Sequence, residues 1–270
     1  MKLIQRLFGK TKPDPKVTSK PKGPAKAKKP KVKAPAPANV PATEVQEMDA
    51  QAQALIKTLE ARRANDPMIM VKACATEMLN RLILSMRDKR GVQAESMLTA
   101  LGALGGFACQ MGARANAEPV EPRTVQGKTY FFGPAINKPL AENATSIFSM
   151  AKAAAEAMGT PVSIDAQEIF KHTIDTMGTN TYGIPRLPEK NKPRDLPENY
   201  ARALWPVLVP TIKLFTKDGH EWPIIFAYAI QQVMKQSKDV LPPALAVTIV
   251  MEAAVPCSKL DPGPDVAALI

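Results

Sequence analysis

Residues 96–113 carry no charged side chain, and this run constrains the fold more than any other feature of the chain. Within it, LTALGALGGFACQMGA places Gly102 and Gly106 in G-x-x-x-G spacing. A run of this length can be a membrane span, a phosphate-cradling loop or a buried helix. A span is disfavoured because Gln110 lies inside it, Gly and Ala supply much of its bulk, and no aromatic belt marks its ends. A phosphate loop would follow a strand and close on Lys-Ser or Lys-Thr, and neither condition is met. The run is therefore expected to be a helix of about 93–114, buried in a water-facing bundle. Its glycines lower helix propensity by roughly 1 kcal/mol each relative to Ala, so Gly102 and Gly106 should mark close approach of a second helix. That second helix belongs to the same chain or to another copy.

Charge divides the chain in two. Residues 1–40 hold eleven lysines, one arginine and one aspartate, which accounts for the whole net charge of +11 and leaves a neutral body. Such a Lys/Pro/Ala-rich segment has almost nothing to bury and should stay disordered and extended. Over this stretch alone, its composition resembles the tail of a linker histone. Lys26, Lys28, Lys29, Lys31 and Lys33 form its densest cluster and are the expected polyanion contacts. Ahead of them, Leu3, Ile4, Leu7 and Phe8 fall on one face of a short amphipathic stretch. They are the residues expected to touch a membrane surface, should that be the polyanion.

The body, residues 41–265, is expected to be mainly α, a multi-helix bundle with at most one small β-hairpin. Aromatics make up only 5 % of the chain, which favours helices over strands. Thr43 and Gln46 have capping-box spacing for a helix over about 44–64. Asp66 and Pro67 would open a second helix ending at Gly91. Its broad apolar stripe, Val71, Ala75, Met78 and Leu82 with Met68 and Met86 at the ends, would make it central. A Gln126-Gly127 turn suggests the hairpin. Further helices are expected at about 140–158, 165–177, 198–216, 220–237 and 243–255. Pro206 and Pro210 should kink or split the helix at 198–216. The Pro-rich stretch 179–197 is expected to be a surface loop and marks a candidate sub-boundary. Its PRLP also fits the P-x-x-P pattern.

Candidate chemistry is sparse. The three cysteines, Cys74, Cys109 and Cys257, lie far apart without C-x-x-C, which suggests buried thiols in a reducing compartment. His172 has Glu168 and Asp175 at helical spacing, with Ile169, Phe170, Ile174 and Met177 on the opposite, apolar face. One helix face cannot complete a metal shell, so neither a metal nor a cofactor is expected. Asp218, His220 and Glu221 cluster at a helix start beside Trp222. Capping explains their spacing, and they are the catalytic residues if the protein is an enzyme.

The sequence thus leads to a non-catalytic interaction or scaffold protein. Its body would bind a protein partner or itself, and its basic tail would contact nucleic acid or an anionic membrane surface. A cytoplasmic place, with peripheral membrane contact allowed and no transmembrane span, follows from the same features. The alternative is an enzyme of unknown reaction built around Asp218, His220 and Glu221.

Overall fold

The computed structural model describes residues 54–270. The expected tail contacts and the capping box at Thr43 lie outside them. The described chain is mainly helical. In order come α1 (54–62), α2 (Ile69–Met86), α3 (Ala94–Ala115), the strands β1 (Glu121–Val125) and β2 (Lys128–Phe132), and α4 (Pro134–Asn137). The last continues into a π turn (Lys138–Glu142), followed by α5 (Ile147–Ala157), α6 (Ala166–Asp175) and α7 (Pro197–Phe215). Finally come α8 (Glu221–Ser237), α9 (Pro243–Cys257) and the short α10 (Pro264–Ala267). Among the described residues no helix is long and apolar enough to cross a membrane.

Helix α3 is the axis of the bundle. Every residue from 96 to 113 is buried, and α9, α8, α7 and α2 pack around it. The glycines explain how it fits. A Cβ on Gly102 would stand 2.5 Å from the Val250 carbonyl oxygen, and one on Gly106 would stand 2.0 Å from that of Ala254. These two glycines let the backbone of α3 lie against the backbone of α9, so the close partner is internal. Trp205 of α7 closes another side, packing edge-on to Phe107 with ring centroids 5.4 Å apart. Helix α2 is not central. It buries one face, including Val71, Ala75, Met78 and Leu82, while Leu84 is 75 % exposed.

Several element boundaries differ from the sequence reading for local reasons. Helix α2 begins at Ile69 because the Asp66 carboxylate accepts the Met68 N–H at 3.1 Å and closes a preceding turn. It ends at Met86 because Asp88 starts a tight turn of its own. Asp88 accepts the Arg90 N–H at 2.7 Å, and Gly91 completes the turn at φ 87°. The stretch 140–158 is broken at Ser146, whose hydroxyl accepts the Ser149 N–H at 3.1 Å and starts a fresh helix. Pro206 and Pro210 do not split α7. Pro206 is half-buried and Pro210 exposed, so the carbonyls left without a helical donor lie toward the outer face, where water can satisfy them.

The hairpin forms around Gln126 and Gly127, both at positive φ, as a two-residue hairpin turn requires. It is tied to the end of α9: the Phe131 N–H donates to the Lys259 carbonyl at 2.9 Å, and Tyr130 bridges to Leu260. The connection 179–197 is laced down as a strap. The Tyr182 hydroxyl donates to the Pro256 carbonyl at 2.7 Å, and Asn191 donates to Glu95 at 3.0 Å. The Arg194 N–H donates to Ser96 Oγ at 2.9 Å. Pro185 and Leu187 are buried, so PRLP is not presented as a free ligand.

Candidate functional site

The start of α8 is held against the end of α3. Gly112 and Gly219 approach so closely that a Cβ on either would stand 2.2 Å from the other's carbonyl oxygen. Asn116 clasps the same loop twice. Its amide donates to Asp218 Oδ1 at 2.9 Å, and its Oδ1 accepts the Gly219 N–H at 3.0 Å. Asp218 also accepts the His220 N–H at 2.9 Å. Burial pushes the Asp218 carboxyl upward, but these hydrogen bonds outweigh it and hold the group below its ordinary value. Glu221 pairs with Arg63 at 2.5 Å, and the 61 % exposed His220 side chain lies 3.9 Å from Glu118. Asp218, His220 and Glu221 thus meet in sequence, yet their polar atoms serve three separate contacts.

His172 lies half-buried on α6, which packs on α9. The buried face of α6 is Ile169 and Thr173, continued by Met177, while Ile174 is 56 % exposed. Glu168 is committed elsewhere. The Arg186 guanidinium grips it with two nitrogens and holds its carboxyl below the usual carboxylate range. The same guanidinium reaches Glu252 on α9 through Nε at 3.0 Å and a terminal nitrogen at 2.6 Å, and the Arg186 N–H donates to the other Glu252 oxygen at 3.1 Å. Glu252 is 6 % exposed, so this ion triad is anchored in the core. Among the described residues, no group of three His, Cys, Asp or Glu side chains is arranged to hold a metal ion. Burial pushes all three cysteine thiols upward, as expected of inert core thiols.

A third place was not singled out from sequence. Lys259 is 3 % exposed, and its Nζ donates to Asn137 Oδ1 at 2.6 Å. The ammonium lies 5.7 Å from the Phe132 ring centroid and 5.8 Å from that of Phe170. Among the described residues it has no salt-bridge partner. Burial pulls its pKa down to about 8, against weaker opposing effects of Cys109 and Glu142. Asn137 and Phe170 also wall a surface cleft of about 560 Å³ between the π turn and α6, together with Glu142, Phe148, Ile174 and Asp175. A signal existed in the sequence: Lys259 follows a long apolar helix whose only charged residue is Glu252. A charge in such a setting has to be buried with it.

Replacing Lys259 with Met should stabilise the protein at neutral pH by about 2 kcal/mol, the cost of the buried ammonium less its contacts with Asn137 and the rings. The native pKa lies below that of the unfolded chain, so the unfolded state binds the extra proton between about 8 and the ordinary lysine value of 10.5. Wild-type stability therefore rises across that window. The advantage of the Met variant should be full below pH 8 and fade as pH approaches 10.5. Chemical unfolding of both proteins across this range checks it, and a gain independent of pH would contradict it.

The chain matches no family model, no curated protein and no solved structure.

Proposed function

We propose that this is a non-catalytic interaction protein whose neutral helical body is held on a polyanion by its basic N-terminal segment. The observation that carries this reading is the segregation of charge: residues 1–40 hold the entire net +11. Lys26, Lys28, Lys29, Lys31 and Lys33 lie among Ala, Pro and Val with no aromatic side chain to stack on bases. Attraction to nucleic acid would then be independent of sequence and driven by counterion release. An anionic membrane surface would be bound by the same charges, with Leu3, Ile4, Leu7 and Phe8 entering the interface.

The body offers surface for a protein partner or a second copy. Val207 and Leu214 stand two turns apart on α7 and are 62 % and 47 % exposed. The engagement of Asp218 and Glu221 in structural contacts favours this reading over an enzyme centred on them.

Full-length protein and a form lacking residues 1–40 should be compared on duplex DNA and on anionic vesicles. If about half of the twelve basic residues of the segment engage DNA, the log–log salt slope should be roughly −5. Changing Leu7 and Phe8 to Ser should weaken vesicle binding alone if the surface served is a membrane. Binding that survives deletion of residues 1–40 would refute the proposal.

A further inference from the structure

We propose that the cleft between the π turn and α6 takes a small carbonyl compound with an aromatic or other apolar body, and that Lys259 captures it as an imine. The size of the cleft, about 560 Å³, lies in the range that holds small organic ligands. Phe148, Phe170 and Ile174 give it apolar walls. Two wall residues are the ones Lys259 touches. Asn137 accepts its hydrogen bond at 2.6 Å, and the Phe170 ring centroid lies 5.8 Å from Nζ. Lys259 itself does not line the cleft, so the amine stands behind the Asn137 side chain, and capture requires that side chain to move aside. Its position is fixed by the backbone pairing of Lys259 and Leu260 with β2.

The chemistry of the surroundings selects the ligand class. Glu142 and Asp175 line the cleft against a single lining lysine, Lys171, so an anion is poorly received while a neutral carbonyl meets no such repulsion. Among the described residues no carboxylate lies in salt-bridge distance of Lys259, and burial further favours its free base, the form that attacks carbonyl carbon. In the step itself, the Nζ lone pair forms a bond to the carbonyl carbon and the carbon–oxygen π pair moves to oxygen. Both remaining amine protons end on that oxygen, the carbon–oxygen bond breaks, and water leaves behind the C=N double bond. No oxidant or reductant is consumed. The inference is independent of the polyanion reading, because the site lies wholly in the body.

Full-length protein is treated with limiting benzaldehyde and cyanoborohydride at pH 7.5, and the resulting secondary amines are mapped by peptide mass spectrometry. Lys259 should be modified at least about tenfold faster than the median exposed lysine, because a larger fraction of it is unprotonated. The preference should disappear in urea, where every lysine titrates alike. Asn137→Ala, which removes the side chain between the cleft and the amine while the backbone pairing of Lys259 with β2 stays, should raise the Lys259 rate further. Modification spread evenly over the lysines, or Lys259 among the least modified in both folded proteins, would overturn the proposal. Folding of the Asn137→Ala variant is checked by circular dichroism. If that variant does not fold, the wild-type map alone decides.

Discussion

Gly106→Ala should cost the body about 3–5 kcal/mol, even though alanine is the better helix former by roughly 1 kcal/mol. The new methyl would stand 2.0 Å from the Ala254 carbonyl oxygen and 2.9 Å from its Cα, both backbone atoms of the facing helix. A side chain could turn away, but α9 can yield only by moving as a whole, and it is buried among its own neighbours. The neighbouring Gly105 supplies the control. Its added Cβ would meet Ile147 Cδ1 at 3.0 Å and Phe226 Cβ at 3.3 Å, and the first of these is the end of a flexible side chain. Gly105→Ala should therefore change stability by less than about 1 kcal/mol. For a body of this size the Gly106 variant should melt roughly 10 °C lower than wild type, read by calorimetry, with Gly105→Ala close to wild type. Equal melting of the two variants would mean that α3 and α9 are not pressed backbone to backbone.

Arg186→Met should be nearly as damaging, at about 3–5 kcal/mol, for an electrostatic reason. Glu252 would remain almost wholly buried, with only the Arg186 backbone N–H, one of its present donors, to meet it. The exposed partner matters less: Glu168→Gln should destabilise far less than Arg186→Met, since water replaces what it loses. Arg186→Met combined with Glu252→Leu should recover most of the loss, because the stranded charge is then gone. A double variant as unstable as the single one would show that Arg186 acts through packing of the strap and not through its charge. Acid should weaken the wild type through Glu168. Its carboxyl is held below the value it has in the unfolded chain, so its contribution is present above that value and is lost as pH falls through the native one.

What the sequence disclosed was mostly local. Residues 96–113 lack any charge, and the helix they form is buried throughout. Gln126-Gly127 specifies a turn with two positive φ angles, and the strands follow from it. The helix expected at about 165–177 forms as α6, and the structure adds its cap: Asp165 accepts the N–H groups of Gln167 and Glu168. Misreadings came where two local rules competed. Asp66 and Asp88 each drew backbone N–H groups into turns that a helical pattern had claimed. Pro206 and Pro210 leave α7 unsplit, since proline content alone does not say which side of the helix faces water. The polar centres were illegible for another reason. Arg186 lies 66 residues from Glu252, and Lys259 lies 122 from Asn137. One sequence does not state which distant carboxylate meets which guanidinium, although a lone Glu in an apolar helix announces that some partner exists. Asp218, His220 and Glu221 lie together along the chain, and their side chains make separate contacts, with Asn116, Glu118 and Arg63.

The unbroken burial of α3 has a consequence for how the molecule breathes. A surface helix can fray, or open one face, while the rest of the domain stays folded. Helix α3 has no such face, so its amide hydrogens can meet solvent only when the helices around it separate. Its protons should be the slowest to exchange into heavy water, and a free energy read from them should coincide with that of whole-body unfolding. The axis of the bundle thus serves as an internal gauge against which every milder opening, in the strap, the hairpin or α6, can be ranked.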